Sequence, residues 1–216
     1  MNLIHTLNAW DTHLFLYLNG IHSTFFDGVM YAFSEKLTWI PLYIAVLYIV
    51  VKYWKRDAIW VVLSLVLCIV FADQVSSGII KDLVQRPRPS QTAELQAVIH
   101  LVNDYHGGKY GFVSSHAANS IGFALLSSLL FKRKFYTFAI FTWAILTAYS
   151  RIYLGVHYPL DILGGAIVGT LGALLCFWTV RKYRPVKPAD TDLQVIVPVI
   201  VFGVSLIAIV FYSIIR

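Results

Sequence analysis

Apolar residues along this chain gather into long runs, not into the alternating stripes of a water-soluble fold. Six runs approach the length of roughly 20 residues that a helix needs to cross about 30 Å of hydrocarbon. They extend from Leu37 to Tyr53, Ala58 to Lys81, Ala117 to Phe131, Phe135 to Ile152, Pro159 to Val180 and Leu193 to Ile215. The third is short by this measure. Ahead of them Leu3, Ile4, Leu7, Trp10, Leu14 and Leu18 recur at helical spacing, with His5, Asn8 and Asp11 between them. That pattern predicts an amphipathic helix lying in the membrane interface. The stretch from Met1 to Asn19 has neither a positive n-region nor a small-residue cleavage site, so it does not read as a signal peptide. The expected fold is all-α, a polytopic membrane protein of six transmembrane helices with an N-terminal amphipathic interfacial helix. One domain over residues 1–216 is expected, with 1–35 as its interfacial N-terminal segment.

Composition agrees: 58% hydrophobic and 13% charged residues cannot cover a soluble surface, and the bilayer is the implied solvent. The net charge of +6 does not indicate a nucleic-acid partner, because the basic residues sit in short clusters between apolar runs. Lys52, Lys55 and Arg56 follow the first span, Lys132, Arg133 and Lys134 the third, and Arg181, Lys182, Arg184 and Lys187 the fifth. Six alternating helices place all three clusters on one side, which the positive-inside rule makes cytoplasmic. Both termini, the long 82–116 loop and the tight turn around Arg151 to Tyr158 then face outward. The Pro-rich stretch from Arg184 to Pro188 reads as an interhelical link. Cys68 and Cys176 lie inside apolar runs and behave as small hydrophobes, with no disulfide or metal cluster implied.

The outward face nevertheless carries Lys81, Arg86, Arg88, Lys109 and Arg151. Topology predicts few cations there, so a local need for positive charge accounts for them. Lys81 and Arg88 close the second span, Ser114, Ser115 and His116 open the third, and Ser150, Arg151, His157 and Asp161 flank the junction of the fourth and fifth. Alternation brings these three distant groups to one membrane face. Lys81, Arg88 and Arg151 suit phosphate oxygens, and guanidinium forks bind them bidentately. Ser114 and the amides opening the third span add neutral donors at a helix N-terminus. His157 and Asp161 are spaced i, i+4, so the carboxylate can fix the imidazole tautomer and leave the other nitrogen free to attack phosphorus. His116 would then protonate the leaving group and later activate water. Such a two-step route needs no metal and no cofactor.

These residues resemble the type 2 phosphatidic acid phosphatase superfamily, in its bacterial membrane lipid phosphatase branch. Lys81, six residues, then Arg88 and Pro89 match its first motif. Val113, Ser114, Ser115 and His116 stand where its second reads Pro-Ser-Gly-His, and Ser150, Arg151, His157 and Asp161 fit every fixed position of its third. The likeness runs from about Leu37 to the end of the chain. It implies His157 as nucleophile, Asp161 as its partner and His116 as acid and base. It further implies Lys81, Arg88, Ser114, Ser115 and Arg151 as phosphate-binding residues, with Pro89 and Ser150 forming the site. The backbone amide of Ser115, in place of glycine, can still face a phosphate.

The implied activity is hydrolysis of a lipid phosphomonoester or diphosphate at the extracytoplasmic face of the cytoplasmic membrane. Candidate substrates are undecaprenyl diphosphate, lipid A phosphate, phosphatidylglycerol phosphate and phosphatidic acid. A non-enzymatic phosphate transporter is the alternative; it would call for charges near the bilayer midplane, of which Asp73 alone is evident. A metal-dependent hydrolase using His116, His157 and Asp161 conflicts with the neighbouring Lys81, Arg88 and Arg151. Among the remaining residues, Asp73 reads as a structural partner within the bundle, and Arg86, Lys109 and Tyr110 as solvated loop residues. His5, His13, His22, His100 and His106 receive no role. Gly164, Gly165, Gly169 and Gly172 read as close helix packing. Six spans can enclose such a site in one chain, and monomer and dimer both stay open.

Overall fold

In hydrocarbon every backbone N–H and C=O must be satisfied within its own segment, so the apolar runs form helices. The computed structural model describes residues 3–184 and 187–215 and is all-helical. Its α-helices are α1 (Leu3–Asn19), α2 (Thr24–Ser34), α3 (Ile40–Trp54), α4 (Ala58–Asp73), α5 (Lys81–Val84), α6 (Ser115–Phe131), α7 (Lys134–Tyr153), α8 (Pro159–Tyr183) and α9 (Ile196–Ile215). Among the described residues three continuous helical stretches, Lys36–Val84, Pro159–Tyr183 and Asp192–Ile215, are long and apolar enough to cross a membrane. The first turns back at Lys55 (φ 48°), which separates α3 from α4. Helix α6 is a shorter apolar helix at the centre, packed against α4, α7 and α8.

Small residues set the closest approach. A side chain at Gly165 would place Cβ 2.3 Å from the Ser114 carbonyl oxygen, and at Gly169 2.2 Å from that of Ala118. Helices α6 and α8 therefore meet backbone to backbone, as the glycine run predicts. Trp39, Phe123 and Trp143 fill the space between α3, α6 and α7. The basic connections gather at one end of the bundle: Trp54 Nε1 donates to the Lys187 carbonyl at 2.7 Å, Arg133 to that of Ala189, and Arg184 lies over the Trp60 ring. The Arg184 to Pro188 link lies partly outside the described residues.

Three features depart from expectation. A second N-terminal helix, α2, begins at the Ser23 N-cap and buries Val29, Met30 and Phe33 against the bundle; its apolar pattern is too short to stand out from sequence. The connecting loop is 85–114, not 82–116. A π-helical turn, Gln74–Ile80, carries α4 onward into α5, while Ser115 and His116 belong to the first turn of α6. Helix α1 turns polar residues inward: Asp11 and Asn19 are buried, whereas Leu3, Leu7, Trp10, Leu14 and Tyr17 form an exposed stripe. The side chain of Ile4 lies outside the described residues.

Candidate active site

The site begins where α7 ends. Gly155, at φ +76°, reverses the chain against the His100 carbonyl, leaving no room for a Cβ. The His157 amide then donates to the Arg151 carbonyl at 3.2 Å, fixing the turn that presents the imidazole. Pro159 opens α8, and Asp161 in its first turn accepts from the Tyr158 amide at 3.0 Å, closing a capping box. The same oxygen, Oδ2, lies 3.3 Å from His157 Nδ1. One carboxylate thus caps the helix and orients the ring, and His157 Nε2 is left facing Arg88 Nη1 at 3.1 Å. Burial, reinforced by the charges of Arg88, Arg151 and Lys81, holds the His157 imidazole well below the ordinary histidine range, so it is neutral at pH 7.

Arg88 comes from the 85–114 loop. Its guanidinium donates to the carbonyls of Tyr110 (3.1 Å) and Val156 (3.2 Å), and burial followed by the Arg151 charge draws it down to about 10. Pro89 starts the next turn, and the Ser90 amide donates to the Gly155 carbonyl, pinning loop to turn. Arg151 donates to Ser34 Oγ and to the Tyr105 hydroxyl. Arg88 is 7% exposed and Arg151 2%, yet among the described residues neither has a carboxylate partner. Two neighbouring buried cations without a direct ion pair cost folding free energy and suit an anion site. Lys81 donates to Ser77 Oγ at 3.4 Å and lies within electrostatic reach of both arginines.

The α6 N-terminus completes this wall. Ser114 caps it through the Ala117 amide, and its own amide donates to the Asp161 carbonyl at 2.9 Å, joining α6 to α8. Ser115 and His116 line a cavity of about 430 Å³ that descends among α3, α4, α6 and α7, with Lys36 and Asp73 in its wall. His116 also lies within electrostatic reach of Arg151, His157 and Arg88. Ser150 points away: its hydroxyl donates to the Thr147 carbonyl at 2.7 Å inside α7.

Residues 57–185 match the PAP2 superfamily, and all the residues just placed around His157, apart from Ser34 and Lys36, fall inside that range. The chain belongs to this family. It is a membrane lipid phosphatase, a hydrolase, and a multi-pass membrane protein. Two bacterial relatives named lipid A 4'-phosphatase are each 40% identical: that of Bacteroides thetaiotaomicron over 88% of this chain and 85% of its own, and that of Porphyromonas gingivalis over 74% and 69%. The fold also matches two solved structures. Aquifex aeolicus LpxE superposes with TM-score 0.60 at 23% identity, covering 77% of this chain and 94% of that one. The Bacillus subtilis phosphatidylglycerolphosphate phosphatase gives 0.63 at 20%, covering 83% and 88%.

Within the PAP2 frame, one prediction is overturned. Arg86 is not a solvated loop charge: its Nη1 meets Asp161 Oδ1 at 2.9 Å, its Nη2 meets Asp11 Oδ2 at 2.7 Å, and its guanidinium lies 4.1 Å over the Tyr158 ring. Asp11 also accepts from the Leu160 amide at 2.9 Å. Asp73 does have a partner in the bundle, accepting from Asn119 Nδ2 at 3.4 Å, and it also faces the cavity. Asp11, Ser34 and Tyr105 escaped sequence reasoning because nothing in a single chain ties them to distant arginines.

Proposed function

We propose that this PAP2 phosphatase removes the 4'-phosphate of a lipid A-type glycolipid at the extracytoplasmic face, through a phosphohistidine at His157. What carries the mechanism is the pair of buried, unpaired guanidiniums of Arg88 and Arg151 beside the neutral, Asp161-oriented imidazole. What supports the substrate is the 40% identity to the two lipid A 4'-phosphatases. Arg88, Arg151, Lys81, the Ser114 hydroxyl and the Ser115 amide hold the phosphoryl oxygens, while Pro89 and Ser150 shape the segments that carry the arginines. His157 Nε2 attacks phosphorus as the P–O bond to the sugar breaks, and His116, having taken up the proton of the bound monoanionic phosphate ester, passes it to the departing alkoxide. Neutral His116 then takes a proton from water, whose oxygen attacks phosphorus as the P–N bond breaks, releasing inorganic phosphate.

Helices α3, α4, α6, α7, α8 and α9 are the six spans of this proposal, with the basic connections cytoplasmic and α1 in the outer interface, its exposed apolar stripe toward lipid. The test is phosphate release by purified protein in detergent from lipid A, undecaprenyl diphosphate, phosphatidylglycerol phosphate and phosphatidic acid, with and without excess EDTA. Lipid A should be the preferred substrate, and EDTA should leave the rate intact. Labelled substrate should leave acid-labile label on wild type and none on His157→Ala; label persisting in that variant removes the nucleophile.

A further inference from the structure

Beside the two buried guanidiniums stands a hydroxyl with a proton to give. Tyr105 belongs to the 85–114 loop, and its half-buried ring packs against a buried cluster that includes Met30, Val102, Leu154 and Val156. Its amide donates to the Val102 carbonyl at 3.1 Å. The next residue is pinned just beyond Arg88, where Ser90 Oγ donates to the His106 carbonyl at 2.7 Å. Gly107, at φ +66°, then brings the backbone onto Arg88, so that a Cβ there would lie 2.9 Å from Nη1. The Arg151 guanidinium carbon in turn lies 5.3 Å over the Tyr105 ring. One short turn, 105–107, therefore touches both guanidiniums and is held in place on either side.

The hydrogen bonding of this hydroxyl is half complete. Its oxygen accepts from Arg151 Nη2 at 3.2 Å, which leaves its own O–H proton to donate. Among the described residues no acceptor takes that proton. Arg151 and Arg88 are the charged groups nearest to hand, the second within electrostatic reach of the phenol, and neither can accept. A donor beside two buried cations is best matched by an anion, which satisfies all three at once. We infer that the Tyr105 hydroxyl donates to a non-bridging oxygen of the transferred phosphoryl group and is a catalytic residue; this rests on the phosphate site proposed above. A hydroxyl suits that place because it adds a donor without adding a third buried charge. Its bond from Arg151 fixes its aim and polarises the O–H, so the donor strengthens where negative charge gathers on the equatorial oxygens.

The experiment measures kcat and KM for phosphate release from the four lipid phosphates named above, by wild type, Tyr105→Phe, Ser34→Ala and protein carrying 3-fluorotyrosine at position 105. Tyr105→Phe keeps the ring and removes only the hydroxyl, and kcat should fall about a hundredfold, the loss expected for one donor to a developing oxyanion. Ser34→Ala removes the other hydroxyl that Arg151 bonds to, so it reports the effect of loosening that guanidinium alone, and its fall should be much the smaller. Fluorination makes the phenol a stronger donor and a weaker acceptor. Assayed at about pH 6, where the more acidic phenol keeps its proton, the fluorotyrosine protein should match or exceed the wild-type kcat. Three results would each overturn the donor role: a Tyr105→Phe rate close to wild type, equal falls in Tyr105→Phe and Ser34→Ala, or a fluorotyrosine rate well below wild type. The last two would mean that Tyr105 only holds Arg151. The fluorotyrosine protein decides the matter if Tyr105→Phe does not fold. Any of these results with an active wild type leaves the phosphatase reading standing, whereas wild type inactive on all four lipids overturns that reading and the role of Tyr105 with it.

Discussion

Arg86 grips Asp161 through the carboxylate oxygen that His157 does not use, 2.9 Å on one side against 3.3 Å on the other. Its second terminal nitrogen holds Asp11 of α1, so a helix outside the residues matched to the family braces the centre of the site. Both carboxylates are almost fully buried, so removing the bridging cation leaves uncompensated charge. Arg86→Ala should therefore lose about 3 kcal/mol of stability. Because Arg86 acts by positioning Asp161, kcat should fall about tenfold or more with little change in KM. Arg86→Lys should restore only part of this, since an ammonium cannot span both acids as a planar fork does. A change in KM alone would point to direct substrate contact instead.

The environment of His157 sets a pH dependence. The attacking imidazole must be neutral, and its folded value is depressed well below about 6.5. The acidic limb of kcat/KM governed by this group should thus have its midpoint below 6.5; a limb centred above 7 would contradict the assignment. Stability follows the same linkage. As pH falls below about 6.5, the unfolded chain takes up a proton at this histidine while the folded chain does not. Thermal stability should decline through that window and recover on return to neutral pH.

Arg151 offers an opposite pairing of stability and function. It is 2% exposed and pairs with no carboxylate among the described residues, so its charge is a cost that a bound anion offsets. Arg151→Met should abolish phosphate release yet match or exceed the wild-type melting temperature in anion-free detergent. Vanadate, which mimics pentacoordinate phosphorus, should stabilise wild type by about 2.7 kcal/mol at a hundred times its dissociation constant and leave the variant unmoved. A variant that is both inactive and unfolded would mean that Arg151 holds α7 to Ser34 and Tyr105, and nothing more.

The convergence of Lys81, Arg88, His116, Arg151, His157 and Asp161 on one end was legible because helix alternation is a strong constraint and the i, i+4 spacing of His157 and Asp161 is local. What stayed hidden was set by tertiary partners. Asp11 resembles any polar residue of an interfacial helix until the bundle brings Arg86 to it. Helix α2 buries only a short stripe, so its period is lost among the longer runs. The π turn at Gln74–Ile80 moves the boundary of the 85–114 loop without leaving a residue signature that a single sequence would reveal.

The α6–α8 contact ties packing to chemistry, and two glycines separate the effects. At Gly165 an added Cβ would lie 2.3 Å from the Ser114 carbonyl and 3.1 Å from Ala117 Cβ, at the turn whose amide reaches Asp161. Neither neighbour can yield, because one is backbone and the other is fully buried. Gly165→Ala should cost about 1–3 kcal/mol as the helices are forced apart. The Ser114 amide should then lose its 2.9 Å bond to the Asp161 carbonyl, so activity should fall with stability. Gly203 in α9 has nothing among the described residues within 4 Å of its would-be Cβ. Gly203→Ala should leave phosphate release unchanged and raise the melting temperature slightly, since alanine favours a helix over glycine by about 1 kcal/mol. If Gly165→Ala keeps full activity at lower stability, the α6–α8 contact supports the fold without setting the geometry around His157.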